Sequence, residues 1–576
     1  MSSDEFTLNH LWTPGDPAVD WERVATAHDL DLNARVFASA GVDVSARRDD
    51  RGNVALTVMA AGTVALAIVV SAGDSTAWWS PADALGHMSI PALWGGRREV
   101  SAFGGVASGA LISRGDRARM AFRLDSGHLP VVVRAGIIEE TAEFAVLLTV
   151  RGTGRLELRV DASERHWTEA ISSVGPPVAI AALGAEEPVY CTWYAAHQDL
   201  DQEDLLAQVR IAGELGMGTL IVDDGWQTSE RGRGYRSAGD WIVSRNKFPD
   251  PARFVEETAQ AGLQTMWWIS TPFLGFDAIA HADDLATIDT DEALGTSVLD
   301  PRDETVRSSL VSRLRSLLAT TGAVGFKLDF LERWDSQDAS IPEAALSLLA
   351  EIAEMVDEVA GTGLIEYRDP YIGYPTTRSA SMIRVGDCPL RPAQNRAGIV
   401  DLRLTAPGVP VHSDPVMWSP DDSVGRVAQH LQNALFGVPQ ISLRLTDLSE
   451  PHRAVLAFWL GFWRQHRDII LHGDFRPQRP DLQYPIVGAE RDGTRLVGRF
   501  APVPIDLSGA WETCHVLNAD DAAVVLDVPD RLRVRATVRD ARGDLISEVD
   551  ADWSGLVRMQ IPTGGLLTVE RRSVAA

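Results

Sequence analysis

VGFKLDFLERWD, residues 324–335, starts as a buried strand and ends in charge. A run of small and apolar residues suddenly carries Lys327 and Asp329. Burying either group without a partner costs several kcal/mol, so each must be satisfied by the fold, by the other, or by a ligand. Whether this strand stands alone or belongs to a repeating set decides the fold.

It belongs to a set. On its N-terminal side lie TLIVDDGW (219–226) and LQTMWWIS (263–270), and on its C-terminal side GLIEYRD (363–369), SMIRVGD (381–387) and GVPQISLRL (437–445). Between them the apolar spacing changes from continuous runs to helical periods. Asp201 can cap a helix running to 215 with Leu205, Val209 and Ala212 on one face. A second helix is expected over 305–320, with Leu310, Leu314, Leu317 and Leu318. A third is expected over 342–360, with Leu346, Leu349, Ile352, Met355 and Val359 inward. Further helices are expected around 424–436 and 450–466. Strands alternating with helices imply a parallel sheet. About eight strand candidates between 188 and 475 fit a (β/α)8 TIM barrel better than an open sheet. Barrels of this kind work at the C-terminal ends of their strands. There this chain carries Asp223, Asp224, Trp268, Asp329, Glu366 and Asp387.

The flanks read differently. NVALTVMAAGTVALAIVVSAG (53–73) and HLPVVVRAGIIEETAEFAVLLTVRGTGRLELRVDA (128–162) are Val-rich runs punctuated by Gly, Pro and Asp, as in a β-sandwich. From about 480 alternation returns in TRLVGRFAPVPI, AAVVLDVP, RLRVRATVRD and GLVRMQIP. The expected organisation is an N-terminal β-sandwich over 1–185, a barrel over 186–476 and a small C-terminal β-domain over 477–576. A chain of 576 residues is long enough for three cores.

Composition narrows the partners. A formal net charge of −27 argues against nucleic acid and anionic membranes, which require basic patches. No stretch is long and apolar enough for a membrane helix, and MSSDEFTLNH has no secretion-signal pattern, so the expected address is cytoplasmic. Three cysteines give neither a disulfide framework nor a metal-ligand spacing, and no cofactor fingerprint occurs. No metal and no cofactor are expected. There are 17 tryptophans, and such a surplus often lines pockets for flat or ring-shaped ligands, although most are expected in the core. His412, in PVHSDP, reads as a satisfied loop histidine, and Cys388 as a small buried residue.

Several carboxylates converging on one mouth suit general acid/base or nucleophilic work. Hydrolysis of a glycoside needs two of them, one ionised and one protonated. A neighbouring ammonium favours the ionised form, and Lys327 lies on the same strand face as Asp329. An ion pair between the two is the structural alternative. Of the adjacent Trp267 and Trp268, only one can face the mouth.

The ordered series CTWYAAHQDLDQEDLLAQVRIAGELGMGTLIVDDGWQ, GDWIVSRNKFPDPARFVEETAQAGLQTMWW, FKLDF and FWLGFWRQHRDIILHGDF, spanning roughly 190–475, resembles glycoside hydrolase family 36, the α-galactosidase family. The resemblance implies a retaining, exo-acting α-glycosidase with Asp329 as nucleophile and Asp387, in RVGDCPLR, as acid/base. It implies that Asp223 and Asp224 hold the sugar's O4 and O6 hydroxyls and that Lys327 contacts the sugar beside the nucleophile. Trp193 and Trp268 match ring-wall positions, and Arg384 lies near an arginine contact. The implied partner is an oligosaccharide or other glycoside, and a homo-oligomer is compatible with the chain.

Two departures bear on the sugar. The family often carries Glu-Pro-Glu after the third-strand Trp, where this chain has ISTPF (269–273). After strand five the family often has a Cys-Ser-Ser-Gly loop touching O2, where this chain has IEYRDPYIG, with Glu366 and Arg368. Arg368 either pairs with Glu366 or Asp369 and shapes the loop, or enters the pocket to select an anionic or unusual 2-substituent. The alternatives to a galactosidase are therefore an N-acetylgalactosaminidase, a glucosidase, an anionic-sugar hydrolase, or a transglycosylating or carbohydrate-binding relative.

Overall fold

The computed structural model of the protein describes residues 21–23, 33–81, 88–89, 97–176, 182, 184–231, 234–280, 284–361 and 363–572. Its centre is a parallel sheet of β1 (Val189–Cys191), β2 (Thr219–Val222), β3 (Gln264–Ser270), β4 (Gly325–Asp329), β5 (Leu364–Arg368), β6 (Met382–Arg384), β7 (Val411–His412) and β8 (Gln440–Ile441). The strands run in the order β7-β6-β5-β4-β3-β2-β1-β8. Single bridges from His412 to Val438 and from Val416 to Ile441 bring β7 onto β8, so the sheet comes round on itself as an eight-stranded TIM barrel.

Around it lie α1 (Gln202–Glu214), α2 (Pro251–Gln260), α3 (Glu304–Thr321), α4 (Ser340–Ala360), α5 (Pro392–Thr405), α6 (Val424–Ala434) and α7 (Glu450–His472). Their starts follow local chemistry. Asp201, Asp250 and Asp303 each accept backbone N–H bonds at the N-termini of α1, α2 and α3, and Pro251 opens α2 where no N–H is needed. On α4 the buried stripe is Ala345, Leu348, Leu349, Ile352, Met355 and Val356. Leu346 and Val359, expected inward, are only partly buried at its margin, because the stripe is rotated slightly from the expected face.

On β4 the two-residue period points Phe326 and Leu328 out to the helices and Gly325, Lys327 and Asp329 inward. Gly325 lies close against the neighbouring strand. A β-carbon there would fall 1.8 Å from the carbonyl oxygen of Leu364 on the neighbouring strand, so only glycine lets β4 and β5 approach.

Among the described residues the N-terminal unit is an antiparallel sheet of eleven strands within Trp21–Asp161. Its spine is an antiparallel pair in which Val54–Ser71 runs along Glu143–Asp161 over its whole length. The Val/Ala run is thus a long strand. Its two ends carry different neighbours: Val44–Arg48 lies along the first part and Arg35–Ser39 along the last. Between these parts Gly62 faces Gly152, both at positive φ (113° and 133°), a conformation other residues resist. The C-terminal sheet has eight strands and begins with Asp474–Gln478, which straddles the boundary expected at 476/477. Asp335, just beyond β4, accepts hydrogen bonds from Ser101 Oγ (2.6 Å) and the Phe103 N–H (3.2 Å), tying the N-terminal unit to the barrel mouth. Among the described residues no helix is long and apolar enough to cross a membrane.

Candidate active site

At the C-terminal end of β4 the chain turns sharply. Phe330 adopts φ +64°, a strained conformation for a bulky residue that costs roughly 1–3 kcal/mol. The turn aims the Phe330 N–H back at Asp329 Oδ1, 2.8 Å away. Aromatic packing holds it there: the Phe330 ring meets Phe273 at 4.7 Å, Tyr235 at 5.0 Å and Trp268 at 6.3 Å.

Asp329 is buried and heavily partnered. Arg368 Nε (2.8 Å) and Tyr371 OH (2.9 Å) also donate to Oδ1, and Trp268 Nε1 (2.9 Å) donates to Oδ2. Burial alone would raise its pKa. The Arg368 guanidinium, the Lys327 ammonium and the Trp268 hydrogen bond outweigh it and hold the carboxyl well below its ordinary range.

Lys327 does not pair with Asp329. Its Nζ donates at 2.6 Å to Oδ2 of Asp223, which follows β2, the next strand but one. Burial opposes the ammonium, but Asp223 raises its pKa, so it stays charged. Asp223 is positioned through its N–H, which donates to Thr192 Oγ1 (2.9 Å), and its Oδ1, which accepts the Asp224 N–H (2.9 Å). Asp224 takes Gln198 Nε2 (2.7 Å) and Gln227 Nε2 (2.8 Å), and burial pushes its pKa up to about 6. Lys247 Nζ donates to the carbonyls of Gln198 (2.6 Å), Gly225 (2.8 Å) and Glu230, clasping the loops that carry Asp224 and Gln198.

Replacing Lys327 by Met should therefore leave Asp223 buried without its cation and destabilise the protein by about 3–5 kcal/mol. Thermal melts should show a large loss for Lys327→Met and partial recovery in the double variant with Asp223→Asn.

On the opposite rim, Arg384 at the end of β6 meets three carboxylates: Asp414, Asp387 Oδ1 (2.9 Å) and Glu366 (3.7 Å). Carboxylates outnumber cations here, and the buried ones keep protons longer. Burial raises Asp414 to about 6 and raises Glu366. Asp387 differs. Its side chain is 52 % exposed, and although its surroundings alone would raise its pKa, Arg384, Lys327 and Arg368 bring it below the ordinary carboxylate range. Arg368 acts on both Asp329 and Asp387, so the two carboxyls share one electrostatic field.

The structure thus brings Asp223, Asp224, Trp268, Lys327, Asp329, Arg368, Arg384 and Asp387 to one end of the barrel. Trp268 faces Asp329 and stacks on Tyr235 (5.9 Å), while Trp267 points outward against Trp226, Phe248 and Phe254. Trp193 is half-buried, its ring edge-on to His197 at 4.8 Å.

Two expectations change. Glu366, expected on the substrate, is 0 % exposed and lies beneath the pocket, where it accepts from Gln440 Nε2 and supports Arg384. Arg368 pairs with neither the Glu366 nor the Asp369 side chain. It binds Asp329, the carbonyl of Asp369 (3.2 Å) and Glu332 (3.5 Å). His412 is buried, with Nε2 2.7 Å from the Ala185 carbonyl, and burial lowers its pKa to about 4.

Tyr371, Tyr235, Gln198, Gln227 and Asp414 were missed in the sequence. Asp414 lies in the same PVHSDP segment as His412, so a strand-end carboxylate was visible there. The others lie on loops without periodicity.

Residues 183–284 match the melibiase family model. An 86-residue segment is 36% identical to the α-galactosidase AgaA of Geobacillus stearothermophilus, covering 15% of this chain and 12% of that one. A longer alignment, 24% identical over 344 residues, covers 56% of this chain and 42% of α-galactosidase 1 of Pediococcus pentosaceus. The matches span less than half the length of these curated relatives. In fold, the chain resembles a family 36 AgaA variant from G. stearothermophilus solved in complex with raffinose, with a TM-score of 0.63 at 13% identity over 94% of this chain and 83% of that one. By the melibiase match and these alignments the chain is similar to α-galactosidases, and it shares its fold with those of glycoside hydrolase family 36.

Proposed function

We propose that this protein is a retaining, exo-acting α-galactosidase that releases terminal α-linked galactose by double displacement. The observation that carries the reading is Asp329, a carboxylate kept ionised by its surroundings at the C-terminal end of β4, in one electrostatic field with the solvent-reachable Asp387. An ionised nucleophile and an accessible proton carrier are the two groups this reaction needs.

In the proposed first step, Asp329 attacks the anomeric carbon, the bond to the leaving oxygen breaks, and protonated Asp387 passes its proton to that oxygen. In the second, Asp387 takes a proton from water as the water attacks the same carbon and frees Asp329. Asp223 and Asp224, fixed by Lys327, Gln198 and Gln227, are the proposed acceptors for sugar hydroxyls. Trp268 and Trp193 are the proposed walls for the ring. Raffinose, bound by the AgaA variant, is the oligosaccharide to try first.

The test is a panel of nitrophenyl α-glycosides followed by NMR of the first anomer formed. Release from the galactoside with α-galactose appearing first is expected. β-Galactose appearing first would sink the double displacement. Sugar binding without release from any glycoside would make the protein a binding relative.

A further inference from the structure

We infer that the N-terminal sheet holds a second ligand site, distinct from the carboxylate-lined pocket of the barrel, for a small organic anion carrying a phosphate or a carboxylate.

The strands of this sheet alternate. Val64, Val100, Val131, Val133, Leu148 and Val150 face the sandwich core. The opposite face of the same strands carries Arg97 and Glu99 on Arg97–Val100, Arg134 on Val131–Ile138, and Thr149 and Arg151 on Glu143–Asp161. Register sets Arg134 directly opposite Arg97, and Val132 between Glu99 and Thr149. Three arginines thus stand on one face of three neighbouring strands. They line a cavity of about 510 Å³ that Ser336 and Gln337, beyond the end of β4, help to close. A cavity of that size falls within the range that small molecules fill.

Solvation does not account for these arginines. Carboxylates outnumber cations 80 to 53 over the whole chain, whereas the described residues lining this cavity include three arginines and two carboxylates. Both carboxylates are already engaged: Glu99 pairs with Arg97, and Asp335 accepts from Ser101 and the Phe103 N–H. Like charges directly opposite on adjacent strands repel, yet Arg134 faces Arg97 and is only 9 % exposed. The Arg151 side chain is exposed and makes no hydrogen bond or ion pair among the described residues. Thr149 Oγ1 is buried beside the cavity and has no hydrogen-bond partner. The guanidinium fork matches a carboxylate or phosphate in both geometry and charge. Ala65, Pro130 and Val132 give an apolar wall for the body of the molecule. A bound anion would join the N-terminal sheet to the segment leaving β4, the junction that Asp335 already makes.

Titration calorimetry on the full chain, at constant ionic strength, should compare glucose 6-phosphate, glucuronate and glucose. One or both anions should bind with a Kd below about 1 mM, and glucose about tenfold more weakly or worse. The tighter anion identifies the headgroup. Arg151→Gln, at an exposed position, should weaken that binding by about tenfold or more, and so should Arg134→Met. Arg531→Gln, which removes an arginine 78 % exposed on the C-terminal sheet, should leave it unchanged. Without added anion, Arg151→Gln should keep the kcat/KM of the unaltered protein for nitrophenyl α-galactoside. No binding of either anion, glucose binding as tightly as the anions, or full anion binding in Arg151→Gln would overturn the inference. A lower kcat/KM in Arg151→Gln would likewise overturn it, by placing Arg151 in the chemistry of the barrel.

Discussion

Asp329→Ala should hydrolyse nitrophenyl α-galactoside about 10⁵-fold more slowly than the unaltered protein, close to 7 kcal/mol of lost transition-state stabilisation. The magnitude follows from removing the group that forms the covalent intermediate, which no neighbour can replace. Trp268, Tyr371 and Arg368 all surround Asp329, and none is a carboxylate. The variant leaves a small cavity lined by donors and the Arg368 cation, which suits an anion. Azide should enter it and restore turnover with an activated substrate. Attack from the vacated side must invert the anomeric centre, so the product should be the β-glycosyl azide. Loss of the carboxylate also takes from Arg368 its nearest counter-ion and leaves Glu332, at 3.5 Å, as the next, so stability should fall. Asp329→Asn, which keeps an acceptor for some of the donors, should be inactive yet melt higher. An alanine variant that keeps substantial hydrolysis would remove Asp329 from the chemistry.

Asp387→Ala should separate substrates by leaving group. An alkoxide leaving from an oligosaccharide needs a proton, and general acid help contributes about 10²–10⁴-fold. Raffinose hydrolysis should drop by that factor, while a dinitrophenyl glycoside, which leaves without a proton, should form its intermediate nearly as fast as before. That intermediate then lacks its base, so it should accumulate as a burst. Azide should relieve the block and give the α-glycosyl azide, the opposite anomer from that expected with Asp329→Ala. The pH dependence has a definite sign. Activity requires Asp329 ionised and Asp387 protonated, and both titrate below the ordinary carboxylate range. For the free enzyme, kcat/KM on oligosaccharides should thus be highest in acid. It should fall about tenfold per pH unit above the Asp387 pKa. The dinitrophenyl substrate should show little of this fall, and Asp387→Ala none. An equal loss on all leaving groups would assign the proton to another group, with Asp414, whose pKa burial raises to about 6, next in line.

The architecture was legible in the chain because its signals are local. Strands buried on both faces read as continuous apolar runs, and capped helices separated them with a 3.6-residue stripe, so β2 to β6 and α1, α3 and α4 lie close to where spacing puts them. Strand alternation likewise told Trp268 from Trp267 as a pair of opposites, and strand ends marked Asp223, Asp329 and Asp387.

Which charge meets which was not legible. Lys327 lies two residues from Asp329 yet pairs with Asp223, 104 residues away, because the curve of the sheet brings the end of β2, the next strand but one, within 2.6 Å of its ammonium. Arg368 reaches Asp329 from the next strand, and Arg384 gathers Glu366, Asp387 and Asp414 from three segments. Glu366 shows the remaining gap. Alternation turns it inward correctly, but depth along the barrel axis depends on the stagger of eight strands, and that stagger puts it under the floor with Gln440. Apolar period and cap chemistry act between near neighbours, so the sequence alone determined the barrel, its flanking sheets and the carboxylates at its mouth. Coulomb pairing acts through space, so only the closed barrel decided which of those carboxylates are neutralised, which keep protons, and which one is held ionised.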